Sequence, residues 1–349
     1  MRAVWSLALN NELAHRPAFD DTQAYFAIEG GRLAAYEIAG GSQRWLITAS
    51  LHSAPAAGAG LVFFVEDGEM VAVHATDGSR AWSTPLEDDL AAAPTWANGW
   101  LLVATNSGAI VALRASDGHV IWRRDLLVVA HAPIAISGDH AYVPLDNTHV
   151  QALQIATGEP IWDRRLGGIP MEILALDDRL FVGANDGYFY CLVTETGRVD
   201  WRWRTGAAPI GLPVVDEHRV YFVALDNAAR ALNRSNGVQQ WMQLLKTRPT
   251  GGPLRAGSTV MVYGAQPPIR AMNVADGKGG GDISIAGPLA TPPHVIGADD
   301  ANPFLVVVTR DIEKGDTVTL FTRSVEPAAG PLAPFPNPIT ALPKLEPGS

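Results

Sequence analysis

The chain has 349 residues, of which 36 are acidic and 26 basic, giving a formal net charge of -10. That balance argues against a nucleic-acid surface, which needs clustered Lys and Arg to displace counterions. The single cysteine, Cys191, excludes an intrachain disulfide and any zinc or iron–sulfur site built from cysteines.

The first patterned stretch is Val4-Trp5-Ser6-Leu7, which reads as an outer strand lacking the three that should precede it. It has no basic region followed by an apolar run, so no signal peptide is expected, and no stretch reaches the roughly 20 apolar residues of a membrane span. From there a Trp recurs at Trp5, Trp45, Trp82, Trp122, Trp162, Trp201 and Trp241, in steps of 40, 37, 40, 40, 39 and 40 residues. Four residues before each copy from Trp45 onward stands a Gly: Gly41, Gly78, Gly118, Gly158, Gly197 and Gly237. A period near 40 with strand-and-turn punctuation marks a propeller or a solenoid.

The second complete unit shows the internal order. Ser53-Ala54-Pro55 opens it, Leu61-Val62-Phe63-Phe64-Val65 is apolar on both faces, and Met70-Val71-Ala72-Val73-His74 follows the turn Glu66-Asp67-Gly68. Thr76-Asp77-Gly78 then turns the chain into the strand carrying Trp82. Such a four-stranded sheet cannot bury both faces alone, so neighbouring units must stack. The series repeats over 93–125, 132–165, 171–204 and 209–244. In the seventh unit Gly279-Gly280-Gly281 replaces the anchor, although Gly277 persists. The eighth stops after Thr317-Val318-Thr319-Leu320-Phe321-Thr322, before any fourth strand. The expectation is an all-β ring of eight four-stranded antiparallel blades over 1–324, closed by residues 2–8, with 325–349 as a Pro-rich extended tail.

The turn Thr/Ser-Asp/Thr-Gly followed by three residues and Trp, with strands such as Gly187-Tyr188-Phe189-Tyr190-Cys191-Leu192, resembles the repeat of quinoprotein-type, or PQQ-like, β-propellers. The resemblance covers roughly residues 2–323 and implies that each Trp packs on the adjacent blade. It implies one of two functions. One branch is the PQQ-dependent oxidoreductases, whose quinone lies on the ring axis beside calcium and commonly beside a disulfide of adjacent cysteines, which one cysteine cannot supply. The other is non-catalytic: BamB-type envelope lipoproteins that scaffold outer-membrane protein assembly, and related sensor propellers. The bare ring is similar to the second branch. The resulting expectation is a monomeric protein-binding scaffold without a cofactor, periplasmic or outer-membrane associated, with no nucleic-acid partner; a quinoprotein oxidoreductase and a ligand-sensing propeller are the alternatives.

Residues outside the repeat are candidates for contact. His15, His52 and His131 each precede a strand-opening Pro and should fall on one face, where imidazoles can bind a metal or an anion, although exposed loop histidines are common. Glu87, Asp88 and Asp89 form an acidic loop on that face, with Lys246 and Arg248 facing it from another blade, either as solvated loops or as a charged rim for a partner. Trp96, Trp100 and Trp203 are either an aromatic interface patch or cross-strand packing. No catalytic or metal-binding residue is identified.

Overall fold

In a computed structural model the chain forms a ring of eight four-stranded antiparallel sheets. The residues described are 1–323 except 177, 301 and 312; the Pro-rich tail lies outside them. Blades 1 to 7 occupy 18–48, 56–85, 95–125, 135–165, 170–204, 209–244 and 254–283. Blade 8 takes His294–Ile296, Phe304–Asp311 and Gly315–Thr322, and its outer strand is Arg2–Ala8. Trp5 pairs with Leu320 and Ala8 with Thr317, so the beginning of the chain closes the ring as the truncated first and last repeats require.

The strands form where the pattern places them because the middle two of each blade are covered on both faces. Val62, Phe63, Phe64 and Val65 are at most 2% exposed, and so are Leu101, Leu102, Val103 and Ala104. Runs of this kind need neighbours on both sides, which only a stack of blades supplies. Hairpins such as Asp67-Gly68, with φ of 49° and 78°, need left-handed backbone, the reason for their Asp/Asn-Gly composition.

The Trp series docks each blade on the next. Trp122 Nε1 donates to the Ile155 carbonyl at 2.7 Å, and its ring lies on Gly158, where an added Cβ would come within 2.6 Å of the indole. The same pair of contacts recurs from Trp5 on Ile38 and Gly41 round to Trp241 on Val274 and Gly277. The invariant spacing of Gly and Trp within the repeat therefore reflects a contact between repeats: each Gly is the platform for the preceding blade's indole. Trp96, Trp100 and Trp203 are packing residues too. Trp96 covers Gly58 of blade 2, where a Cβ would sit 2.2 Å from the ring, and the other two join buried clusters.

Candidate interaction face

Connections from the outer strand of one blade to the inner strand of the next all lie on one face, stitched to the turns between second and third strands. Leu86 N donates to Gly68 O, Leu126 N to Gly108 O and Leu166 N to Thr148 O, at 2.8 to 2.9 Å. Each loop then crosses to the next blade: Asn106 N donates to Asp89 O and Asp146 N to Val129 O. Backbone bonding at both ends makes these loops rigid presenters of whatever side chain sits at the crest.

At the residue after the first of these bonds stand Glu87, Gly167, Gly206 and Lys246 in four loops, and Leu127 in the loop leading to blade 4. Leu127 is 86% exposed and has a φ of 58°. Left-handed backbone costs a residue with a bulky side chain about 1–2 kcal/mol, and full exposure of a Leu forgoes its burial. The bonds at Leu126 and Val129 hold the strain in place, as does the Val128 backbone, which packs so closely on Gly108 that a Cβ there would sit 2.8 Å from Val128 N.

The centre of the same face is bridged. Arg16, in the loop entering blade 1, reaches Glu172 on the inner strand Pro170–Ala175 of blade 5 at 3.8 Å. Blades 1 and 5 are opposite in a ring of eight, so this pair spans the axis. Glu172 stands at a break in strand register between Pro170 and Ile173, and the inner strand of blade 6 has a similar break between Ile210 and Val214. The second break turns at Gly211, whose added Cβ would meet Gly252 N at 2.0 Å, and exposes Leu212. Tyr263 lies near both charges of the bridge; burial pushes its hydroxyl up to about 12.

A quinone held with calcium on the axis needs several oxygen donors converging there. The described residues contain no cluster of three His, Cys, Asp or Glu suited to a metal. Glu172, a carboxylate at this mouth, is engaged by Arg16. The residues at this mouth do not fit that cofactor.

The profile of the family described as outer membrane protein assembly factor BamB matches residues 2–92, 66–175 and 146–306. The chain belongs to the BamB family. Among curated members, BamB of Yersinia pestis is 26% identical over 313 residues and BamB of Salmonella typhimurium 27% over 312, each alignment covering 79% of both chains. The crystal structure of BamB from Moraxella catarrhalis superposes with a TM-score of 0.72 at 21% identity, covering 94% of this chain and 99% of that one. The quinohemoprotein alcohol dehydrogenase of Comamonas testosteroni also superposes at 0.72, with 13% identity, over 96% of this chain and 78% of the enzyme. At these identities both likenesses speak to the fold alone.

Within this BamB-family ring the residues singled out from sequence share the face but do not converge. His15 Nε2 meets the Leu51 carbonyl at 2.9 Å and His131 Nδ1 meets Asp146, while His52 is exposed and its backbone amide donates to Val65 O. They sit in the loops entering blades 1, 2 and 4, each with its own neighbours. The acidic loop is partly consumed by structure. Asp88 accepts from the amides of Ser107 and Asp89, and hydrogen bonding from the Ser107 side chain, then from its amide, holds the Asp88 carboxyl below the usual range. Glu87 pairs with Arg123 at 3.2 Å, leaving Asp89 exposed. Lys246 and Arg248 are exposed in the loop entering blade 7, four blades from the acidic loop, so the two charge groups occupy opposite sides of the face. Sequence reasoning passed over Leu127. Its signal is the run Leu126-Leu127-Val128-Val129 in a loop position filled elsewhere by Glu, Gly and Lys.

Proposed function

We propose that this protein is a non-catalytic docking scaffold for outer-membrane protein assembly in the bacterial envelope, binding a protein partner through the face just described. The observation that carries this reading is Leu127: a rigid loop spends backbone strain to expose a large apolar side chain, and strained, exposed residues of this kind concentrate at binding sites. Opposed acidic and basic loops on the same face would orient the partner. The BamB relatives, named for outer membrane protein assembly, support the cellular setting.

The test is a cell lacking the protein, complemented with the full chain or with Leu127→Asp. The expected result is that loss of the protein lowers the folded fraction of newly made outer-membrane β-barrels, and that Leu127→Asp restores it poorly. Normal barrel assembly in the deleted strain would sink the reading. Alcohol-dependent dye reduction by purified protein given PQQ and calcium would replace it with the oxidoreductase.

A further inference from the structure

Blades 5 and 6 satisfy one polar position of the repeat with a carboxylate of their own, and blade 7 does not. In blade 6 Asp226 accepts from both terminal nitrogens of Arg230, at 3.0 and 2.5 Å, and from the amide of Gly206 at 2.8 Å. Forty residues before Arg230 stands Tyr190 of blade 5, whose hydroxyl donates to Asp186 at 2.6 Å and accepts from the amide of Gly167 at 3.2 Å. Both blades thus place an Asp four residues before a polar side chain on the third strand, and tie the pair to the crest of the entering loop.

Forty residues after Arg230 is Arg270, at the same place on the third strand Ile269–Asn273 of blade 7. Forty after Asp226 is Gln266, which carries no charge, and forty after Gly206 is Lys246, which adds one. Blade 7 therefore keeps the guanidinium, loses its anion and gains a second cation at the crest. Neither Arg270 nor Lys246 forms an ion pair among the described residues.

The place is also open. Arg230 is 7% exposed, whereas Arg270 is half-buried and lines a cleft of about 350 Å³ between the loop entering blade 7 and the strands of that blade. Lys246 and Thr247 line it too, as do Gly279, Gly280 and Gly281, which have no side chains to close it. That volume lies at the lower end of the range for small-molecule sites. The one carboxylate in the lining is Asp282, the cross-strand neighbour of Arg270, which competes with any anion that enters.

We propose that this cleft is a binding site for a phosphate group, which takes the place that Asp226 fills in blade 6. Arg270 is suited to grip two phosphate oxygens side by side, as Arg230 grips Asp226, while the Lys246 ammonium and the Thr247 hydroxyl add further donors. A phosphate has oxygens enough for all three groups, where a carboxylate has two. A soluble phosphate ester and a phospholipid headgroup present the same chemistry here. The site is separate from Leu127 and does not rest on the scaffold reading.

Calorimetric titration of the full chain in low-salt buffer tests this. Glycerol 3-phosphate is expected to bind with a Kd below about 1 mM, and at least about tenfold more weakly to Arg270→Met. Gln266→Asp is the sharper variant, because it restores the blade-6 carboxylate beside an intact Arg270, and it should weaken binding by a similar factor. Asp282→Asn removes the competitor and should tighten binding. Flotation with vesicles of phosphatidylglycerol, against phosphatidylcholine alone, separates the two sources. Retention on phosphatidylglycerol that is lost in Gln266→Asp assigns a lipid headgroup; binding of glycerol 3-phosphate without retention assigns a soluble ester. Binding of neither probe by the native chain, or native affinity for both in Gln266→Asp, would overturn the proposal.

Discussion

Removing one indole from a docked seam should cost the ring several kcal/mol, and Trp122 is a suitable position. Truncation of a packed Trp or Phe to Ala costs about 3–5 kcal/mol. The ring of Trp122 is half-buried, which favours the lower part of that range, but its loss also removes the 2.7 Å bond to the Ile155 carbonyl, worth about 1 kcal/mol. The expected cost of Trp122→Ala is therefore about 3–4 kcal/mol. Trp122→Phe keeps most of the contact with Gly158 and loses the N–H donor, so about 1–2 kcal/mol is expected. Gly158→Ala approaches the same contact from the other blade: it places a methyl 2.6 Å from the indole at a φ of 71° and should cost about 2–3 kcal/mol. Urea unfolding followed by far-UV circular dichroism reads all three. A loss under about 1 kcal/mol for Trp122→Ala would refute the docking role.

Three further outcomes are expected. Asp316 is fully buried and accepts from Leu13 N at 2.8 Å and Arg310 Nε at 3.1 Å; Asp316→Asn should destabilise by about 2–4 kcal/mol in the same denaturation. Burial alone would raise the Asp226 carboxyl, but the Arg230 fork and the Gly206 amide outweigh it and hold it below the usual range. Its ionised form thus favours the folded state above the unfolded value of about 4, and that contribution is lost as pH falls through the lower folded value; the stability gap between the native chain and Asp226→Asn should narrow in acid, and a gap independent of pH would contradict the assignment. Deleting residues 1–9 removes Trp5 and the outer strand of blade 8, and should lower the melting temperature by about 10 °C or more, whereas melting like the full chain would contradict closure by that strand.

The ring was legible because its repeating residues are those that pack. Trp and Gly recur at fixed spacing since each makes the same contact with the next blade, and Met70–His74 reads as a strand because its run is apolar on both faces, a pattern that Arg270–Asn273 keeps in part in the weakened seventh blade. The face was legible only as a set of loops. Arg16 and Glu172 meet across the axis from sequence positions 156 residues apart, and Glu172 lies at a break in strand register that no local pattern announces. The shared face of His15, His52 and His131 follows from their position before strand-opening prolines, whereas their separate partners depend on side-chain directions that periodicity does not carry. Leu127 was hidden for a different reason: an apolar run in a loop looks like packing until its backbone conformation and exposure are known.

The most direct test of the scaffold is the affinity of the purified full chain for the purified outer-membrane assembly machinery, measured for the native protein, Leu127→Asp and Leu46→Asp. Asp tolerates left-handed backbone better than Leu, so the first substitution should leave the fold intact. Leu46 is an exposed apolar residue on the outer strand of blade 1, away from the loop face. The account predicts that Leu127→Asp weakens binding at least about tenfold, roughly 1.4 kcal/mol, while Leu46→Asp binds as the native chain does. Native affinity in Leu127→Asp, or equal losses in both variants, would contradict it.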